Sequence, residues 1–303
     1  MTTHSTRRAA TAAAALTLTL ALTLALAACS PSAEPSRASS GAPAHDDGPT
    51  AALSHIHGLG LRGGSLYVAT HQGIHTPGAD GSPVLVGDRR DDFMGFTVTA
   101  DGDFLASGHP APGTGGPADL GLVTSADSGL TWREKSLAGQ VDFHALDTAR
   151  DSTVYGYDSA NGLLRVSADG ITWDDRAALR ALDIAVSPAD PATVLASTES
   201  GVARSTDGGR TFAPGAGRVL AYLSWGSPDA LFGVDPDGVL FRGTDGGARW
   251  TRVSTVPGGA PQALTVVDAR RLFVATGDGV YESRDAGRTF ERRMAVRAAD
   301  GGH

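Results

Sequence analysis

Apolar and polar positions alternate over short stretches of this chain, and turns rich in Gly and Asp separate the stretches. The pattern is cleanest near the C-terminus. Residues 262–267, 271–276, 279–283 and 289–293 read as four consecutive strands, with a turn centred on Asp285 before the last. Comparable four-strand units start near His55, Asp92, Asp142, Leu182 and Leu220. Six such units closing on themselves leave no long exposed sheet edge. The expectation is an all-β fold, a six-bladed β-propeller over residues 51–297, its seam completed by residues 294–297 or by those before His55.

A motif marks the repeat. Ser205-Thr-Asp-Gly-Gly-Arg-Thr-Phe212 returns as Ser125-Ala-Asp-Ser-Gly-Leu-Thr-Trp132 and as Ser283-Arg-Asp-Ala-Gly-Arg-Thr-Phe290. Weaker copies are Thr244-Asp-Gly-Gly-Ala-Arg-Trp250 and Ser167-Ala-Asp-Gly-Ile-Thr-Trp173. The aspartates Asp127, Asp169, Asp207, Asp245 and Asp285 are spaced by 42, 38, 38 and 40 residues, a period that belongs to repeat arrays. Asp-x-Gly is turn chemistry: the carboxylate accepts backbone amides, and glycine takes positive φ without a steric cost. The closing Trp or Phe offers a large apolar face to a neighbouring unit. Unit one lacks the motif and has Gly78-Ala-Asp80-Gly-Ser82 in its place. Unit two carries an insertion from His109 to Asp119.

On these motifs the stretch 53–296 resembles the Asp-box (BNR) repeat proteins, whose best-known members are sialidases and related glycosyl hydrolases. The resemblance implies that each box joins the third and fourth strands of a blade, on the face away from the ligand site. It therefore implies a structural role for the five aspartates.

The first 28 residues read as a secretory signal. Arg7 and Arg8 precede an apolar run from Ala9 to Ala25, with no acidic residue before Glu34. Leu26-Ala-Ala-Cys29 resembles the bacterial lipoprotein box, which implies lipidation of Cys29, the chain's only cysteine. Residues 29–50, rich in Ser, Pro, Ala and Gly, read as a flexible tether, and 298–303 as a disordered tail. The expected location is extracytoplasmic, anchored to the outer face of the cell membrane by lipid. Net charge is −8, or −10 without the signal arginines, which argues against nucleic acid as a partner. The chain is expected to act as a monomer.

Histidines carry the candidate chemistry. Six of the nine, His55, His57, His71, His75, His109 and His144, lie in units one to three. If the boxes mark the lower face, inner-strand starts and second-to-third strand loops lie at the upper one. His55 and His57 open the first inner strand with side chains on the same side. His71 and His109 occupy equivalent loops, Asp92 and Met94 open the second inner strand, and Asp142 and His144 open the third. Imidazole, carboxylate and thioether meeting at one rim suit a first-row transition metal. The candidate ligands are His55, His57, His71, His109, His144, Asp92 and Met94, for copper with the thioether and equally for zinc without it. His75 enters a third strand and is expected to be structural.

Two other functions fit the same face. A glycosidase needs two carboxylates across the scissile bond, and Asp92, Asp142 and Asp158 are the candidates. The sialidase resemblance implies an arginine triad and a tyrosine–glutamate pair. Arg89, Arg90, Arg180 and Arg218 stand in no such motif, and Glu199 has no tyrosine in its own unit, Tyr222 belonging to the next. The third function is a non-catalytic docking platform, with Trp225 and the loop 109–119 as contacts.

Overall fold

The computed structural model describes Leu53 and residues 55–296. The expected signal, Cys29, the tether and the tail lie outside the described residues. The chain divides into two units, Met1–Asp47 and Gly48–His303, and every described residue belongs to the second. Among the described residues no helix is long and apolar enough to cross a membrane.

The second unit is a six-bladed β-propeller. Blade one is β1 (Ile56–Arg62), β2 (Ser65–Thr70), β3 (Gly73–Pro77) and β4 (Pro83–Leu85). Blade two is β5 (Asp92–Val98), β6 (Phe104–His109), β7 (Leu122–Ser125) and β8 (Arg133–Ser136). Blade three is β9 (Phe143–Thr148), β10 (Val154–Asp158), β11 (Leu163–Ser167) and β12 (Asp174–Ala178). Blade four is β13 (Asp183–Val186), β14 (Val194–Thr198), β15 (Gly201–Ser205) and β16 (Ala213–Ala216). Blade five is β17 (Tyr222–Ser227), β18 (Ala230–Val234), β19 (Val239–Thr244) and β20 (Arg249–Thr255). Blade six is β21 (Pro261–Val266), β22 (Leu272–Thr276), β23 (Gly279–Ser283) and β24 (Glu291–Ala295). Strands pair in chain order within every blade, and each inner strand packs against the next until β21 meets β1.

The apolar core lies between blades. Each of its six clusters joins two neighbours: Phe93, Phe96 and Phe104 of blade two meet Ala69 and Ile74 of blade one, and Phe143 of blade three meets Leu105 and Leu122 of blade two. Phe93, Phe104, Phe143, Phe232 and Phe273 are fully buried, each contributing about 1.5–3 kcal/mol by the usual scale for such side chains. The motif aromatics serve these seams. Trp132 packs on Phe93 at 4.8 Å between ring centres, and Trp173 on Phe143 at 4.9 Å.

Polar staples add to the packing. An inner-strand amide of one blade donates to a side chain of the blade before it: Phe143 to Ser107 Oγ (2.9 Å), Val186 to Asp147 Oδ2 (2.8 Å), Leu223 to Asp183 Oδ2 (2.8 Å) and Val266 to Ser224 Oγ (2.9 Å). Closure repeats the device, since the Ile56 amide donates to Gln262 Oε1 at 3.0 Å. Both expected seam segments take part. Leu53, Met294 and Val296 share one buried cluster with Ile56 and Phe273, and the Ala295 amide donates to the Gly81 carbonyl at 2.9 Å.

The turns after β7, β15 and β23 share one geometry. In the turn after β15, Asp207 Oδ1 accepts the Ser205 hydroxyl (2.7 Å) and the Thr211 amide (2.9 Å), and Oδ2 accepts the Thr211 hydroxyl (2.7 Å). Buried Ser205 Oγ accepts the Gly209 amide at 2.8 Å. Asp127 and Asp285 repeat this, and Asp169 does so one residue short, accepting the Ile171 and Thr172 amides. Hydrogen bonds from the motif threonine hold Asp127 and Asp285 down to about 2. Asp245 departs from the pattern. It sits at positive φ in a short 3₁₀ turn, Asp245–Gly247, and pairs with Arg249 instead.

Candidate functional site

The propeller has two rims. Third strands end at the motif turns on one of them, so inner strands start and second strands end at the other. An axial channel of about 430 Å³ runs between the rims, and His57, His144, Asp147, Asp183, Tyr222 and Trp225 are among its lining.

Blade one and the first residue of β5 build the first group at the upper rim. The ligand nitrogens of His55, His57 and His71 all lie within 4.8 Å of one another. His57 Nε2 is 3.3 Å from His71 Nε2. His71 Nδ1 lies 2.8 Å from Asp92 Oδ2, and the opposite nitrogen of the ring, Nε2, faces His57. Burial, then repulsion from His71, lowers His57 to about 4, with Asp92 acting in opposition. His57 is therefore neutral at physiological pH. Asp92 Oδ1 is buried, accepts no hydrogen bond from a described residue, and stands 4.0 Å from His57 Nε2.

Blades two and three build the second group. Asp142 Oδ2 receives His144 Nε2 at 2.7 Å and His109 Nε2 at 3.3 Å. His109 Nδ1 faces the Ala118 carbonyl at 3.1 Å and Asp119 at 3.3 Å. Burial pulls His109 down, but the Ala118 carbonyl with Asp142 and Asp119 outweighs it, and the net shift is upward. With acceptors beside both nitrogens, the doubly protonated form of His109 is favoured. The rim therefore contains two groups of histidines: His55, His57 and His71 around one another beside Asp92, and His109 with His144 on Asp142. Asp142 Oδ1 is also buried without a donor among described residues.

The remaining candidates lie as follows. Asp158 is fully buried at the end of β10, where Arg165 (3.1 Å), the Asn161 side chain (2.8 Å) and the Asn161 amide (3.2 Å) occupy it. His75 is 5 % exposed and burial lowers it to about 4. Buried Asp91 accepts the Ala111 amide at 2.8 Å and pairs with Arg89, tying down the loop 109–119. Arg218 pairs with Asp235 over the Phe241 ring. Glu199 is exposed in the turn after β14. Trp225 is half-buried, packed where blades four and five meet.

Sequence reasoning passed over Gln262, Asp119, Asp147 and Asp183. The last two carry only one sequence signal, an acidic residue inside an apolar inner strand. Burial raises Asp147 to about 6 and Asp183 to about 7, against the amides that each accepts. The acidic excess also lies on the histidine side. Residues 53–180 hold sixteen acidic and nine basic side chains, while 181–296 hold thirteen and twelve, so the field there favours cations.

No family model matches the chain, and no curated protein matches it. Solved propeller enzymes do. Virginiamycin B lyase from Staphylococcus aureus aligns at 12 % identity and a TM-score of 0.55, over 83 % of this chain and 88 % of that one. A Niastella koreensis GH74 enzyme aligns at 17 % and 0.57, over 80 % and 45 %, and the GH74 xyloglucanase of Xanthomonas campestris at 19 % and 0.52, over 80 % and 46 %. The chain thus spans under half the length of either GH74 enzyme. At these identities the likeness is one of fold.

Proposed function

We propose that this chain is an extracytoplasmic propeller of the Asp-box type, anchored as a monomer through lipid on Cys29, that binds a divalent transition-metal ion at its channel mouth. The ligands are His55, His57 and His71. One observation carries the reading: two imidazole nitrogens face each other at 3.3 Å, and the other nitrogen of the His71 ring lies 2.8 Å from a carboxylate oxygen of Asp92. With metal–nitrogen bonds of ~2.0–2.1 Å, that separation subtends an angle of roughly 105–110°, close to tetrahedral. Asp92 acts as the outer carboxylate that orients a ligating histidine, and the neutral state of His57 matches what a metal requires. Three protein ligands leave a position for an exogenous group.

The test is titration of the purified full chain with zinc and copper. One ion per chain is expected, and the double change His55→Ala with His57→Ala should weaken binding by roughly a hundredfold or more, because two ligands go together. Binding no tighter than millimolar in the wild type would remove the reading.

A second reading, glycoside hydrolysis, draws on the buried acceptors Asp92 Oδ1 and Asp142 Oδ1 and on the propeller hydrolases that share the fold. Release of reducing ends from xyloglucan by the wild type, lost in Asp92→Asn and Asp142→Asn, would favour it over the metal reading.

A further inference from the structure

The inner strands bulge at one register position. Where β1 pairs with β2, Ile56 faces Thr70 and Gly58 faces Ala69, leaving His57 unpaired. In β5 the register passes from Phe93 to Gly95 and leaves Met94 unpaired. In β9 it passes from Phe143 to Ala145 and leaves His144. In β21 it leaves Gln262. Inner strands β13 and β17 pair without a bulge at this end. A bulge re-aims the unpaired side chain out of the ladder, so consecutive blades present imidazole, thioether and imidazole at equivalent points of one rim. All three residues are half-buried.

Small residues draw these points together. A methyl group on Gly58 would lie 2.8 Å from Phe96 Cβ, and one on Gly95 would lie 2.3 Å from the Phe143 carbonyl oxygen. Backbones of blades one, two and three therefore touch directly beneath the bulged residues. Of the chain's three methionines, Met1 lies outside the described residues and Met294 is fully buried in the core between blades six and one. Among the described residues Met94 is the one methionine outside the core, and it stands at the bulge position between those of His57 and His144 in blade order.

Thioether with imidazole selects copper, above all the soft cuprous ion, where imidazole alone suits zinc as well. Resting on the metal reading above, we infer that Met94 adds a thioether to the ligand set of His57 and its neighbours, and that the same site also takes copper as the cuprous ion. Cu(I) affinity of the purified full chain, measured anaerobically by competition with bicinchoninate, should exceed its zinc affinity. Met94→Leu, a swap that conserves volume, should lower Cu(I) affinity at least tenfold and leave zinc affinity within twofold. X-ray absorption of the copper-loaded wild type should show a sulfur neighbour that the variant lacks, a readout independent of any folding loss. Cu(I) affinity unchanged in Met94→Leu, or a sulfur shell that persists in it, would overturn the inference while the histidine site stands. Wild type that binds neither ion would overturn both.

Discussion

At the scale of single residues, the hydrogen-bond accounting separates scaffold from site. Ser205 is buried, and its hydroxyl is the acceptor for the Gly209 amide. Ser205→Ala strands that amide and should cost about 1–3 kcal/mol in chemical denaturation, with metal affinity unchanged because the turn lies on the opposite rim. His75 makes a pH prediction. Its folded value near 4 lies below the ordinary 6.5, so its contribution is fully present above about pH 6.5 and is lost as pH falls towards 4. His75→Phe removes that loss, and its melting temperature should decline less than wild type between pH 6.5 and 4.5. A steeper decline would contradict the neutral buried assignment.

Element by element, the inner strands carry the functional geometry. Gly95 lets β5 sit against β9, and any side chain there meets the Phe143 carbonyl. Gly95→Ala must push the strands apart, an overpacking cost of about 1–3 kcal/mol, and should also weaken Cu(I) binding because Met94 adjoins the displaced backbone. If binding were unchanged while stability fell, the mouth would not depend on the spacing of blades two and three. The loop after β6 supports the same mouth, with His109 and Ala111 tied to Asp142 and Asp91 respectively.

Over the whole molecule, two of the staples between blades also set the acid response. Asp147 and Asp183 each keep part of their surface on the bore while accepting an amide of the next blade. Their folded values of about 6 and about 7 lie above the ordinary 3.8. Their contribution is therefore fully present below about pH 3.8 and is lost as pH rises through 6 to 7, opposite in sign to His57 and His75. The two sets offset each other between about pH 4 and pH 6. Asp183→Asn keeps one oxygen acceptor and removes a titrating group, so its melting temperature should fall more steeply than wild type from pH 7 to 5. Parallel profiles would show that Asp183 does not change its protonation on folding.

The sequence by itself determined the fold, the blade number and the rim on which the histidines lie. Alternation fixes strand faces, and a motif repeating every 38–42 residues fixes how many strands separate equivalent turns. Those are local properties, and antiparallel pairing in chain order converts them into a propeller. Which rim residues meet was decided only by the tertiary structure. His71 reaches His57 and Asp92, while His109 and His144 gather on Asp142, although all six read alike as polar residues at strand ends. Asp158 read like Asp142, yet Arg165 and Asn161 enclose it. The bulges that align His57, Met94 and His144 have no sequence signature of their own. They arise because an extra inner-strand residue can be expelled towards the open mouth, whereas the seams between blades are packed full.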